Sequence, residues 1–305
     1  RTAEISLSNH SDGRMREAKM GQWPVDNPQR GLSNNSICYT ERPDVGAYMR
    51  EWSALYESRS GERGIFNRQA CKDMAPERRD NSYEFGTNPC SEIVLRPHQF
   101  CNLSEVVARQ NDTRMTLLEK VEIATILGTL QASLTNFRYL SSKWQQNTEE
   151  EALLGVSITG IYDCPYLLES EPKQLLELKN HAIKINERWA KKIDINPAAA
   201  ITCVKPSGTV SQLVDSASGI HARHNPYYTR TVRGDNKAPL TQFMKDQGIP
   251  NEPAVGKEDS TTVFSFPIKA PEGSVTRRDV TAIDQLNTWL IYQRHWCEHK
   301  PSITV

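Results

Sequence analysis

The chain has 305 residues, long enough to bury a sizeable core, and balances 37 Lys plus Arg against 37 Asp plus Glu for a formal net charge of zero. That balance argues against nucleic acid as a partner, which draws a basic footprint, and no apolar run approaches the roughly 18 residues of a membrane span. Seven scattered cysteines with no CxxC pair argue against a zinc ribbon, a thioredoxin-type motif and a disulfide-stapled secreted domain, and point to a reducing cytoplasm.

The chain opens at Arg1 with no charged-then-apolar leader and closes inside an apolar, strand-like run, Pro301-Ser302-Ile303-Thr304-Val305; a piece of a longer protein is expected. Residues 1–7 read as a short strand, and a polar stretch with Gly13, Gly21, Pro24 and Pro28 reads as loop. Over 44–59, Val45, Tyr48, Met49, Trp52, Leu55 and Tyr56 recur at helical spacing and predict a helix whose aromatic stripe packs in the core. Residues 61–67 read as a turn into a strand, and 71–81 as a charged, solvated segment. The clearest helix is predicted over 114–137, with a broad apolar side packed on a larger body and Thr116 and Glu119 at capping-box spacing. A polar linker over 142–151, a strand over 153–161 and a helix over 172–191 follow. Residues 198–204 form a buried strand, which Lys205-Pro206-Ser207-Gly208-Thr209 turns into another helix. Strands over 227–233 and 261–268 and a helix over 280–299 complete the reading. The alternation points to α/β architecture with parallel strands.

The densest chemistry lies in Gly86-Thr87-Asn88-Pro89-Cys90-Ser91-Glu92-Ile93, where Gly, Asn-Pro and Cys favour a rigid turn with Cys90 at its tip. Asn88 and Glu92 flank Cys90 two residues away on each side, so extended geometry would put an amide, a thiol and a carboxylate on one face. Such a set can orient a polyol, abstract an atom or proton, and act as general base; a surface turn with a half-buried cysteine fits the spacing equally well. Cys101 lies eleven residues beyond Cys90, where two strands and a short loop could bring the thiols near each other; the plainer reading is an apolar strand cysteine. Pro206, Ser207, Gly208 and Thr209, between a buried strand and a helix, form a place for anions without the Walker spacing, or an ordinary N-capped helix. His295-Trp296-Cys297-Glu298-His299 reads as a helix end carrying cationic side chains rather than a metal group, and no metal site is expected. His221, Arg223 and His224 read as a solvated basic loop, and Cys71 and Cys164 as structural.

Together these pieces resemble the catalytic subunit of ribonucleotide reductases. The match is to the adenosylcobalamin-dependent (class II) type and its monomeric ribonucleoside-triphosphate branch. Asn88-Pro89-Cys90-Ser91-Glu92-Ile93 looks like the family's finger loop, and the eleven-residue step to Cys101 fits that branch. Gly61 to Asn67, Lys205 to Leu213 with Ser218-Gly219-Ile220-His221, and the late helix-to-strand step at 295–305 are similar to further family segments in the same order.

The resemblance implies a ten-stranded α/β barrel with the finger loop inside, of which 1–305 would be the central and later part of one domain, cut at both ends. It implies thiyl-radical reduction of ribonucleotides to 2′-deoxyribonucleotides for DNA synthesis. Adenosylcobalamin would be the source of oxidation of Cys90, which removes the ribose 3′ hydrogen. Glu92 would be the base at the 3′ hydroxyl, Asn88 a hydrogen-bonding partner of the ribose, and Cys101 one of two reducing thiols that end as a disulfide. Residues 206–209 would hold the phosphates, with a nucleotide effector and a thioredoxin-type reductant as further partners. The second thiol, most of the effector region and the recharging C-terminal cysteines would lie outside the chain, so 1–305 alone should not turn over. Other readings are a reductase subunit driven by a separate radical-generating subunit, a non-catalytic nucleotide-binding module and, more distantly, a zinc-binding interaction protein.

Overall fold

Strands and helices alternate through most of the chain, and the structure, a computed structural model, describes residues 4–305, with burial described from Leu7 onward. The order is β1 (Glu4–Ser8), α1 (Gly13–Arg16), α2 (Trp23–Asp26), β2 (Ser33–Tyr39), α3 (Val45–Ser58), β3 (Gly64–Asn67), α4 (Arg68–Asp73), β4 (Gly86–Thr87), β5 (Val94–Leu95) and β6 (Asn102–Val107). There follow α5 (Arg114–Ala132), α6 (Ser142–Glu151), β7 (Leu154–Thr159), α7 (Pro165–Leu168), α8 (Pro172–Lys192), β8 (Thr202–Cys203) and α9 (Gly208–Leu213). Then come β9 (Tyr227–Asp235), α10 (Pro239–Asp246), β10 (Asn251–Pro253), β11 (Thr261–Lys269) and α11 (Ala282–His295). Two compact units result: one runs to His221 and resumes over Ile283–Val305, the other is Ala222–Ala282. The predicted strand over 1–7 is met by β1, residues 1–3 lying outside the described part.

In the larger unit β1, β2 and β3 form one parallel sheet and β6, β7 and β8 another. The antiparallel β4–β5 hairpin carries the loop 88–93. The described strands of both units make four separate small sheets and do not close a ten-stranded barrel. All six residues of β7 are buried, as expected for the middle strand of a parallel sheet covered on both faces. Helix α5 packs on β6 and β7 and against α8. The close approach is made at Gly128, where a Cβ would sit 3.2 Å from the Leu154 side chain.

A line of buried polar groups joins these layers. Thr125 Oγ1 donates to the Val121 carbonyl (2.7 Å) and Thr129 Oγ1 to that of Thr125 (2.8 Å). Asn186 Nδ2 on α8 donates to Thr129 Oγ1 (3.0 Å), and Asn186 Oδ1 accepts the Ala198 N–H (2.8 Å) at the segment leading to β8. Every member has a partner, which is what allows polar groups in such a core.

Several expectations fail for identifiable reasons. Strand β2 occupies part of the predicted loop; Ser and Asn are poor strand formers, but Asn35, Ser36 and Ile37 are buried between two parallel neighbours, and tertiary context prevails. The α3 stripe is exposed rather than core: Val45 is 80% and Tyr56 81% exposed. Helix α5 is capped by Thr113 with Thr116, one turn before the predicted pair, and Leu127, Leu130 and Leu134 lie outside the buried side. The polar linker 142–151 is a helix, α6, whose Glu151 is buried. The charged segment 71–81 contains a buried residue, Arg79, which clasps Glu151 through Nε (2.9 Å) and Nη2 (3.0 Å) and stacks 4.6 Å from the Phe85 ring. Gln99 also donates to Glu151, so Glu151 ties the end of α6 to the segments before and after the hairpin. The last helix stops at His295, four residues short of the prediction.

The smaller unit is an antiparallel sheet, β10-β11-β9, with α10 packed where Gly234 would bring a Cβ within 2.5 Å of Thr241 Oγ1. Strands β9 and β11 match the predicted positions and β10 adds a third that the sequence reading lacks, and the pairing is antiparallel rather than parallel. Arg223, predicted in a solvated loop, is buried, and its backbone exchanges hydrogen bonds with Val275 and Arg277. Among the described residues no helix is long and apolar enough to cross a membrane.

Candidate active site

The loop 88–93 is a turn, not the extended segment that the i−2, i, i+2 argument assumes. The Ser91 N–H donates to the Asn88 carbonyl (2.8 Å), with Pro89 at the second position, where its fixed φ suits the turn, and Ser91 at φ 64. The Asn88 side-chain oxygen accepts the Ile93 N–H (3.0 Å) and the two backbones meet through Asn88 N–H to Ile93 O (3.3 Å), so the neck is closed twice. Asn34 Nδ2 braces the Pro89 carbonyl at 2.5 Å. The turn leaves Cys90 half-buried at the tip and sends Glu92 wholly inside.

Glu92 is met there by Lys205, whose Nζ lies 2.8 Å from Oε1. The other oxygen, Oε2, is buried and has no protein partner. Burial pushes the Cys90 thiol up, the Glu92 carboxylate adds to this and Lys205 opposes it. The sulfur therefore keeps its proton. Burial pulls Lys205 down, but the hydrogen bond and charge of Glu92 outweigh it and hold the ammonium above its ordinary value.

The predicted anion turn 206–209 does follow the buried strand and opens α9. The space beside Gly208 is open, since a Cβ there would meet nothing within 4 Å. Ser207 is buried, and its hydroxyl donates to Glu105 Oε2 on β6 (2.8 Å), while Glu105 Oε1 is buried without a partner. Burial raises the Glu105 carboxyl, against Ser207 and Lys205. Across the sheet Glu105 faces Ser157, which faces Cys203, and Ser157 Oγ accepts the Lys205 N–H (2.8 Å).

Cys101 stands one residue before β6, packed against Leu153, Ala199 and Ala200. Its thiol is pushed up to about 12 by burial first and by Glu92 second. Cys90 and Cys101 thus share the field of one carboxylate. Cys203 also feels Glu92 and Cys101, and burial drives its thiol well up. All seven cysteines are free.

Two predicted basic groups prove neutral. His299 is buried; its Nδ1 accepts the Val94 N–H of the hairpin (3.2 Å) and its Nε2 meets the Leu154 carbonyl (2.9 Å). Burial, with Arg79 adding, takes it down to about 3, so it is a neutral splint between hairpin and sheet and not a cationic helix end. His221 Nε2 accepts the Thr304 N–H (3.0 Å), and burial lowers this ring too. Among the described residues no group of three or more His, Cys, Asp or Glu is placed to hold a metal ion.

The site residues that sequence reasoning overlooked are Lys205, Glu105 and His299. Lys205 was visible as the residue opening the anion turn, and Glu105 as a carboxylate inside an apolar strand. His299 stood out only as a cationic helix end, and nothing local marked its neutral role, since its partners are 145 and 205 residues away.

No protein-family model matches the chain. An adenosylcobalamin-dependent ribonucleoside-triphosphate reductase of Euglena gracilis is 28% identical over 81% of this chain and 34% of that protein. The enzyme of the same name from Lactobacillus delbrueckii subsp. bulgaricus is 24% identical over the whole chain and 45% of that protein. The chain thus spans less than half the length of these curated relatives. Among solved structures, a B12-dependent (class II) ribonucleotide reductase superposes with a TM-score of 0.76 at 23% identity, covering 99% of this chain and 46% of the other. The resemblance drawn from the finger loop and the anion turn therefore extends along the chain, in sequence and in fold.

Proposed function

We propose that this chain is the central and later part of the catalytic barrel of an adenosylcobalamin-dependent ribonucleoside-triphosphate reductase. On this reading the β1-β2-β3 and β6-β7-β8 sheets belong to the two halves of a ten-stranded barrel, and the β4–β5 hairpin is its inner finger. The observation that carries the reading is the pairing of a protonated, half-buried Cys90 with a fully buried Glu92 whose second oxygen is unpartnered.

Adenosylcobalamin, when bound, supplies the bond homolysis that protein side chains cannot perform. The tip Pro89-Cys90-Ser91 fits that group, because its sulfur is accessible and still carries a hydrogen atom to give up. As a thiyl radical, Cys90 takes the 3′ hydrogen of the ribose. Glu92 Oε2 receives the 3′-hydroxyl proton, as a general base held by Lys205 through its other oxygen. Asn88 has its oxygen committed to Ile93, which leaves its Nδ2 to donate to a ribose hydroxyl. The 2′ hydroxyl leaves as water. Cys101 and a second thiol outside this chain supply two electrons and their protons and end as a disulfide, and Cys90 returns the hydrogen to C3′. The high thiol of Cys101 suits this order of events, since it stays protonated until the substrate draws on it. Pro206, Ser207, Gly208 and Thr209 seat the phosphates beside open space. A thioredoxin-type reductant, a nucleotide effector bound mostly elsewhere, and a reducing cytoplasm complete the proposal.

The test uses the full-length protein. Ribonucleoside triphosphate is converted to the deoxy product with adenosylcobalamin and no second subunit, and Cys90→Ala abolishes turnover while nucleotide still binds. Turnover that persists in Cys90→Ala overturns the reading, and a requirement for a separate radical-generating subunit moves it to the other reductase type.

A further inference from the structure

Lys205 touches no reacting atom in the reaction as described so far, yet it is the only side chain that hydrogen-bonds the Glu92 carboxylate among the described residues. Its main chain is clamped on both sides. The N–H is held by Ser157 Oγ at 2.8 Å, and the carbonyl abuts Gly219, where a Cβ would lie 2.4 Å from it. From that fixed base the side chain reaches back to the finger loop, 113 residues away in sequence, while the next four residues form the anion turn. One residue thus joins the proposed base to the proposed phosphate seat.

From this geometry we infer that Lys205 is a positioning residue for the reaction: its ammonium fixes Glu92 through Oε1, keeps that buried carboxylate paired, and so aims Oε2 at the substrate hydroxyl. The inference rests on the reading of Glu92 as the base. A carboxylate with no exposure needs a partner to stay charged, and truncating one member of such a pair leaves the other uncompensated. The other groups in the field do not substitute for it. Cys90 on the same loop, Cys101 before β6 and Cys203 on β8 are thiols kept protonated by burial, and they bring no positive charge. Lys300, beyond α11, feels Glu92 but offers it only its backbone N–H, to the Glu92 carbonyl at 3.2 Å; its ammonium lies 5.9 Å from the Phe66 ring centroid. Glu105, a half-buried carboxylate near Lys205, is bound to Ser207 instead. An ammonium has three donors and Glu92 uses one, so the same group can remain bound to Glu92 when substrate phosphates arrive at the turn.

The experiment compares full-length wild type with Lys205→Met, Lys205→Arg, Glu92→Gln and the double variant Lys205→Met/Glu92→Gln. Lys205→Met is expected to lower kcat about 10–100-fold, a share of the roughly 10²–10⁴-fold that a positioned base supplies. Triphosphate binding, measured directly, should weaken much less than kcat falls. That split between kcat and binding is the readout a phosphate contact would not give. Lys205→Arg should recover most of kcat, because the charge and a donor return. In the Glu92→Gln background the further change to Met should cost nothing, because the two residues act as one unit. If Lys205→Met does not fold, the double variant, which removes both charges together, is compared with Glu92→Gln alone: equal turnover is expected, and a further fall overturns the inference. The inference is overturned if kcat is unchanged in Lys205→Met, if Lys205→Arg recovers none of the loss, or if the two substitutions multiply independently. Loss of binding in proportion to kcat/KM would make Lys205 a phosphate contact only. Should Cys90→Ala retain turnover, the reductase reading itself fails; should Cys90→Ala be inactive and Lys205→Met normal, only this inference does.

Discussion

His299 allows a quantitative test of how the hairpin is held. It is neutral in the fold, with a value of about 3 against an ordinary 6.5. Between those values the unfolded chain binds a proton that the folded chain refuses, so stability falls as pH drops below about 6.5 and is level above it. Each pH unit in that window is worth about 1.4 kcal/mol, so acidification from about pH 7 to about pH 5 should cost about 2 kcal/mol through this ring alone. Urea unfolding at the two pH values, followed by tryptophan fluorescence to which the buried Trp296 contributes, reads the loss. The control is His299→Gln, which cannot gain a charge. It should be less stable at pH 7 by about 1–3 kcal/mol, because one of the two partners, Val94 N–H or Leu154 O, loses its hydrogen bond. Its stability should change less than that of wild type between the two pH values, by about the 2 kcal/mol assigned to the ring. Equal pH dependence in wild type and variant would refute the argument, for the acid sensitivity would then belong to other groups.

Glu151→Ala should destabilise by about 3–5 kcal/mol in the same unfolding assay, because the buried Arg79 guanidinium loses a two-pronged partner. Gly219→Ala should cost about 2–5 kcal/mol, from a left-handed φ of 54 and a Cβ placed 2.4 Å from the Lys205 carbonyl. Alkylation of Cys90 by iodoacetamide near pH 8 should be slow in the wild type and faster in Glu92→Gln, since the carboxylate that helps hold the thiol protonated is gone. Rates followed by mass spectrometry, with no acceleration on removing Glu92, would contradict that assignment.

Much of the larger unit was legible because local pattern and tertiary environment agree there. Helices α5 and α8 and strand β7 carry their apolar periodicity openly, and the Gly–Asn-Pro–Cys run could be little other than a turn. The site was legible as far as its residue types: Cys90, Glu92, Asn88 and the turn at 206–209 were visible as chemistry. How they meet was not. Extended alternation would place Asn88, Cys90 and Glu92 on one face, whereas the turn at Ser91 separates a half-buried thiol from a buried carboxylate. The partners that give each group its state, Lys205 for Glu92 and Val94 with Leu154 for His299, come from distant sequence, and no local pattern encodes them. Composition misled at 71–81 and 142–151, where charged residues looked solvated. Arg79 and Glu151 are charged because they pair with each other inside, and the pair is invisible until both ends are placed.

The chain of hydroxyls and amides from Thr125 through Thr129 and Asn186 to Ala198 has a consequence for evolution and redesign. A purely apolar seam between α5 and α8 would pack comparably at several offsets, each one helical turn apart. Here only one offset matches Asn186 both to Thr129 and to the backbone just ahead of β8. Replacing the set by volume-matched apolar residues could leave the melting temperature untouched, yet it would remove the notch that tells α8 where to stop along α5. Beyond β8 lies the turn that begins with Lys205, so an error of one helical turn in α8 would be carried into that turn. These hydroxyls act as an index pin between α5 and α8, a matter of alignment more than of resistance to heat.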